Sequence, residues 1–453
     1  MMKALAQTAL ISLVILGQVL GLSATAAAEP VLACCDGLES RIADLEATTA
    51  RKGNRHISLT VSGLITQPLM FWSDGQTQDV YAVSNEVKRS RLRFSGDGKI
   101  APGWSAGTVL EIGPNPSPLA PMDQFRFDPS SGHIEVRHSY WFVKSDDLGQ
   151  LSMGLGSQAT DTATEVTLAN TSNVMSPGLP ILLGYFQRGW FMRRDDGTLT
   201  GMRFGDILFQ GRNDVLGEGH RWNMVRYDSP KLAGFTASAS WGESDFADAA
   251  LRYNGEFLGF KIAAAIGITE WTHASATTAR GCAQRTNISQ SQCMEVGGSA
   301  SIMHTGSGLF LNAAAGWGKD DGLKPVYGNA AGIDDTEDFY YALAGIEQQW
   351  FSFGKTTLFG QYWHKDIAAG LTSGVGTPLD ASPLGGAKRL SGADVSIWGV
   401  SLNQELAGGV DFYASYNHVE TEVHTSPTGA VTGSATTNIA PFDFVLTGIA
   451  VRF

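Results

Sequence analysis

The chain has 453 residues, 54 of them glycine and 17% charged, with a formal charge of −12. A soluble chain of this length would ordinarily divide into two or more domains. The acidic balance disfavours nucleic acid as the main partner, and past the N-terminus no apolar run is long enough for a membrane-spanning helix.

Lys3, the apolar run Leu10 to Leu22 and the small residues Ala26, Ala27 and Ala28 read as a secretory leader over 1–28. Removing Lys3 with it takes the mature charge to about −13. Val31-Leu32-Ala33-Cys34 loosely resembles a lipidation signal, but Glu29 and Pro30 separate it from the apolar run and Leu32 fits it poorly. Within 29–54, Cys35, Leu38, Ile42, Leu45 and Thr49 recur at spacings of three and four, with Glu39, Arg41, Asp44 and Glu46 between them. That is the seam of a short coiled-coil helix, too short to stand alone and dependent on an oligomer to hold it; a monomeric amphipathic helix is the alternative. Cys34 and Cys35 would be placed to staple neighbouring chains, and Ala50 to Asn54 reads as a linker. Export implies an oxidising compartment, where Cys282 and Cys293, in one polar segment, are expected to close a loop disulfide.

From His56 the pattern changes to period two, with Ile57, Leu59, Val61 and Ile65 alternating with Ser58, Thr60, Ser62 and Thr66. Clusters of Gly, Asp, Asn and Pro break the rest into about sixteen strands. Long connections are expected at Asp74 to Glu86, Pro114 to Gly132, Ser157 to Gly219, His273 to Gln292, Asp320 to Thr336, Asp366 to Gly392 and Thr421 to Pro441, with a medium one at Gly242 to Asp248. Tight turns alternate with them, the first at Asp97-Gly98. Such alternation of long and short connections marks an all-β transmembrane antiparallel barrel over 55–453 whose even strand count lets its ends meet. Mean hydropathy near zero agrees, since lipid-facing and water-facing residues cancel. Trp72, Tyr140, Trp141, Tyr362, Trp363, Trp398 and Tyr416 would furnish interfacial girdles.

Several segments carry a family resemblance: CCDGLESRIADLEATTARKGNRHISLTVSG, SRLRFSGDGKI, WSAGTVLEIG, VRHSYWFVKS, MVRYDSPKLAGFTASASWGE and ALRYNGEFLGFKIAAAIG. Together they resemble the outer-membrane porins of alphaproteobacteria, over nearly the whole chain. The resemblance implies a homotrimeric general-diffusion channel in the Gram-negative outer membrane, with an inward-folded third loop as its constriction. It also implies contact with outer-membrane lipids, passage of small hydrophilic solutes and ions, and recognition of the terminal strand ending in Phe453 by the barrel-assembly machinery. No cofactor or metal is expected.

A channel needs charges facing a narrow zone rather than a catalytic group. Arg89, Arg91 and Arg93 recur at every second residue, so one strand would turn all three to one side, and the lumen is the side where arginine is least costly. By the same alternation Glu111, Glu135, Arg137, Arg226 and Arg252 are expected to line the pore, either as channel charges or as salt bridges stiffening the wall. The opposing acidic residues are expected from the longest loop: Asp161, Glu165, Asp195, Asp196, Asp206 and Asp214. A sugar- or phosphate-selective channel and an envelope tether through the N-terminal helix are the rival readings. An enzyme is disfavoured because neither GxSxG nor HExxH occurs.

Overall fold

The computed structural model describes residues 57–118, 122–127, 132–173, 188–208, 215–242, 246–272, 292–321, 335–368, 381–384, 388–427 and 435–453. The expected leader, the heptad segment, Cys34, Cys35, Cys282 and Asp214 lie outside these residues. No helix among the described residues is long and apolar enough to cross a membrane.

The strands are β1 (Ser58–Thr66), β2 (Leu69–Ser73), β3 (Gln78–Ala82), β4 (Arg91–Ala101), β5 (Trp104–Asn115), β6 (His133–Ser145), β7 (Gly149–Ser157), β8 (Phe191–Arg193), β9 (Leu199–Arg203), β10 (Arg221–Asp228), β11 (Phe235–Gly242), β12 (Phe246–Phe257), β13 (Phe260–Trp271), β14 (Cys293–His304), β15 (Leu309–Asp320), β16 (Thr336–Phe351), β17 (Gly354–Ala368), β18 (Lys388–Leu406), β19 (Val410–Pro427) and β20 (Ala435–Arg452). A short helix, α1 (Phe204–Leu208), follows β9. β8 and β9 pair only with each other, and the other eighteen strands form one sheet. Within it β1 and β2 are two halves of one wall strand, because both pair with β20. β3 and β4 are halves of the next, pairing with β2 and β1 respectively. The wall therefore has sixteen antiparallel strands. The break in the first falls at Pro68, which has no N–H to give the ladder.

The sheet closes where Leu64 and Thr66 pair with Arg452 and Ala450. Beyond them, the Gly63 N–H donates to the Phe453 carbonyl (2.8 Å) and the Phe453 N–H to the Gly63 carbonyl (3.1 Å). A side chain at 63 would have to displace the Phe453 ring, whose tip lies 2.4 Å from where a Cβ would stand. Closure leaves no unpaired edge in the wall.

Along the strands the usual burial rule is inverted. Leu251, Ile266, Ile302, Leu311, Leu358 and Val400 are exposed on the outer face, while Ser240, Asp248, Thr269, Ser299, Ser301 and Asn312 are buried inside. That is the arrangement a bilayer demands: apolar outside, polar within. Two tight turns place consecutive residues at positive φ, Ala233-Gly234 (+50° and +91°) and Leu258-Gly259 (+49° and +77°), the conformation that matches the strand twist in two-residue hairpins.

Several boundaries differ from the sequence reading. Asp97-Gly98 does not turn the chain: both residues are paired within β4, and the turn falls at Pro102-Gly103. The ladder to β1 and β5 overrides the local turn preference. The expected long loop at Asp74 to Glu86 is interrupted by β3, because the Asp74 carboxylate accepts from the Gln76 and Thr77 N–H groups (3.1 and 2.8 Å) and closes a short turn between β2 and β3. The surplus residues, 83–90, form an irregular stretch between β3 and β4. β17 to β20 also run further than expected, because polar side chains on their outer faces read as loop. Of the seven candidate girdle aromatics, Trp141, Tyr362 and Trp398 are exposed, whereas Trp72 and Trp363 are buried inside the barrel.

Those two belong to a large apolar core within the barrel. Met70, Trp72, Tyr81, Tyr341, Trp363, Phe442 and Phe444 pack with Trp190, Met192, Met202, Phe204 and Ile207, which enter from the β8–β9 hairpin region and α1. Trp72 and Trp190 meet edge to face at 5.5 Å, and Phe442 stacks on Trp72 at 6.2 Å. Such aromatic pairs contribute beyond the area they bury.

Candidate functional site

After β7 the chain folds inward. Residues 158–173 run along the inner wall; they close short turns among themselves, and several of their other backbone N–H groups donate to wall side chains. Gln158 and His220 tie the two ends of the excursion together, through Gln158 N–H to the His220 carbonyl (2.9 Å) and His220 N–H to Gln158 Oε1 (2.7 Å). On β12, Asp248 accepts from both the N–H and the hydroxyl of Thr160 (2.7 Å each). On β14, Ser299 and Ser301 accept from the Val166 and Leu168 N–H groups (3.0 and 3.1 Å). Glu347 on β16 accepts from the Asn170 N–H (2.8 Å). The Asn173 amide donates to Asn403 on β18 and Asp411 on β19 (2.7 Å each). Satisfying these buried backbone groups is what allows a loop to lie inside the wall.

Two of the expected pore residues are among these fasteners. Arg252 Nη2 donates to the Ala159 and Asp161 carbonyls (2.7 and 2.6 Å). Arg226 Nη1 donates to the Ser157 and Gln158 carbonyls (3.0 and 2.8 Å), while its Nε is held by Asp228 (3.0 Å).

Opposite the loop lies the arginine cluster. Arg89, Arg91, Arg93, Glu135 and Arg137 line a cavity of about 470 Å³ together with Asp161 and Glu165 from the loop. Arg91 and Arg93 stand on β4, but Arg89 belongs to the irregular stretch before it, so the triplet is not one strand's ladder. The arginines are interleaved with carboxylates. Glu111, fully buried, accepts from Arg93 Nε and Arg137 Nε (2.7 Å each). Glu135 accepts from Arg137 Nη1 (3.0 Å) and lies 3.5 Å from Arg89, which also holds Glu86 (2.5 Å). The wall charges are therefore partly neutralised and held in fixed geometry. A second cavity, of about 770 Å³, brings Asp161 and Glu165 against Arg226, Arg252 and Lys231.

The remaining acidic residues expected at the narrow zone lie elsewhere. Asp195 and Asp196 are exposed between β8 and β9, where Asp196 accepts from the Thr198 N–H (2.8 Å). Asp206 caps α1 by accepting from the Arg203 N–H (2.7 Å). Sequence reasoning missed Glu86, Glu218 and Arg221, all of which line the arginine cavity. Glu218 is buried beneath the loop and accepts from the Thr164 N–H and hydroxyl (2.8 and 2.6 Å) and the Thr162 N–H. Burial, reinforced by the charges of Glu165 and Asp161, raises its pKa well above the ordinary glutamate value. Glu86 had a signal, standing three residues before Arg89; Glu218 had none, because its partners are backbone groups distant in sequence. Cys293 opens β14 and is disulfide-bonded; Cys282 is outside the described residues.

Residues 9–438 match a family model described as Gram-negative porin. No curated protein matches the chain. Similar solved structures include an anion-selective porin from Comamonas acidovorans, 14% identical with a TM-score of 0.53, covering 88% of this chain and 100% of that one. OmpT of Vibrio cholerae, folded in vitro, is 10% identical with a TM-score of 0.49 and covers 89% and 100%. Salmonella typhi OmpF in complex with daunomycin is 12% identical with a TM-score of 0.47 and covers 88% and 98%. At these identities the likeness bears on fold alone.

Proposed function

We propose, starting from the fact that this chain belongs to the Gram-negative porin family and is an outer-membrane porin channel, that the passage between the arginine cluster and residues 161–165 is its constriction. The observation that carries this reading is the cavity lined by Arg89, Arg91, Arg93 and Arg137 on one side and Asp161 and Glu165 on the other. Opposed charges across a narrow passage create a transverse field that orders water. A solute able to exchange hydrogen bonds with that water passes, and an apolar one is disfavoured. The channel would thus serve passive diffusion of small hydrophilic solutes and ions, working as a homotrimer among outer-membrane lipids after insertion by the barrel-assembly machinery, and without a catalytic group.

A phosphate-selective pore would want several unopposed cations at the narrow zone. Here Glu86, Glu111 and Glu135 sit among the arginines, which favours the general-diffusion reading. Planar-bilayer recording tests it. Replacing Arg89, Arg91 and Arg93 together by Gln should move the reversal potential in a salt gradient toward cation preference, and an unchanged potential would remove this cluster from the constriction. Liposome swelling with neutral sugars of increasing size should show a smooth decline in rate, whereas a sharp preference for one sugar would favour a substrate-selective pore.

A further inference from the structure

Outside the channel, on the outer face of β17, β18 and β19, titratable side chains gather just beyond the exposed Tyr362 and Trp398. We propose that Asp394, Glu422 and His424, joined by His364, form a divalent transition-metal site on the extracellular rim of the barrel wall. One donor atom each from Asp394, Glu422 and His424 lies within 4.8 Å of the others. His424 Nε2 is 2.6 Å from Asp394 Oδ2, and His364 Nε2 is 3.8 Å from Asp394 Oδ1, so two imidazoles from flanking strands converge on the two oxygens of one carboxylate.

Both rings are oriented from behind. His364 Nδ1 meets the Ser396 hydroxyl at 2.9 Å and His424 Nδ1 meets the Thr436 hydroxyl at 3.2 Å. A ring whose Nδ1–H donates to an outer partner presents the Nε2 lone pair forward, the arrangement that metal-ligating histidines use. The backbone contributes as well. The β18–β19 register slips between Leu390 and Gly392, directly beside His424, and bulges of this kind re-aim a neighbouring side chain.

The surrounding register gives the cation something to offset. Asp338, Asp366, Asp394 and Glu422 are successive direct partners across four adjacent strands. Like charges directly opposite one another weaken a sheet, and a bound dication on the Asp394–Glu422 pair relieves that repulsion while clipping three strands together. Mixed imidazole and carboxylate donors suit zinc and its transition-metal neighbours, whereas calcium and magnesium prefer all-oxygen shells.

The test uses the full-length protein, folded in detergent, with zinc chloride as the probe. Calorimetry should show one zinc ion bound per chain, not displaced by excess calcium, and D394N or H424Q should each weaken binding by ~10-fold or more, in line with the sensitivity of metal sites to their ligands. Zinc should raise the thermal unfolding midpoint of the unaltered protein and leave that of the variants unchanged. Zinc binding equally well to D394N and H424Q, or not at all to the unaltered protein, overturns the proposal. If a variant fails to fold, cobalt decides the matter on the unaltered protein. Visible absorption bands of four-coordinate Co²⁺ lost on adding zinc are the expected result, and their absence overturns the site.

Discussion

The two sides of the barrel interior are filled in different proportions of polar and apolar side chains. Along β4 to β7 and β10 to β15 serines, threonines and ion pairs face an inward loop, with a small apolar cluster of Met224, Phe246, Trp271 and Cys293 set among them. Along β2, β3 and β16 to β20, Trp190, Met192 and Phe204 fill the space against apolar residues such as Trp72, Trp363 and Phe442, beside buried polar ones such as Asn403, Asp411 and Asn417. The first region is mainly the lining of an aqueous passage, and the second holds the larger apolar core. The difference teaches that inward does not mean water-facing here: an inward side chain must be assigned to a half before its role can be argued.

Substitutions can break or sharpen that contrast. The largest effect is expected for Trp190→Ala, which empties the centre of the aromatic cluster and should cost about 3–5 kcal/mol in urea unfolding, with ion selectivity unchanged because no channel charge is altered. A change in selectivity as large as that of an arginine variant would mean the apolar half also borders the conducting path. Next is Glu111→Gln. It strips the shared partner from Arg93 and Arg137, and breaking a buried pair in this way should cost about 3 kcal/mol, at the low end of such losses because Arg93 is partly open to the lumen. In a bilayer the same variant should shift the reversal potential toward anions; a shift toward cations would mean the freed arginines no longer reach the passage.

A pH measurement probes the polar half more gently. Glu218 has a folded-state pKa raised by burial and by its acidic neighbours, so it takes up a proton on acidification before ordinary carboxylates do. Its ionised form is the costly one in the folded protein. Its contribution to stability therefore grows as pH falls through the raised value and levels off below the unfolded glutamate value of about 4.3. Channel recordings at successively lower pH should show drift toward anion preference, and Glu218→Gln should abolish the earliest part of it. An identical drift in the variant would assign the titration to other groups. The smallest effect is expected where the halves meet. Tyr413→Phe removes hydrogen bonds with Thr66 (2.7 Å) and Asn85 (3.1 Å) and should lower stability by about 1 kcal/mol. A loss near zero would indicate that water replaces the phenol.

The wall was readable from the sequence because alternation and turn chemistry are local. Ile57 to Thr66 announces a strand with two different faces, and a tight turn such as Leu258-Gly259 is specified by the residues that form it. The arginines were readable for the same reason, though Arg89 proved to precede the strand rather than stand on it. Period two says that a residue changes face at each step, but not which face meets water, so Trp72 and Trp363 read as girdle residues although they point into the apolar half. Asp195, Asp196 and Asp206 share a loop with Asp161 and Glu165 but fold into a hairpin and a helix cap, because sequence proximity in a long excursion does not fix where each turn goes. Glu218 was illegible since its role depends on backbone amides more than fifty residues away.

The inward segment after β7 also has a mechanical consequence. Its fastenings reach from Asp248 on β12, through Ser299 on β14 and Glu347 on β16, to Asp411 on β19. These anchor points are far apart around the wall, so the segment acts as an internal hoop. Lateral pressure that pushes on one stretch of wall is passed through the hoop to stretches that share no ladder with it. The part of the chain that narrows the passage is also the part that keeps its width from following every fluctuation of the bilayer.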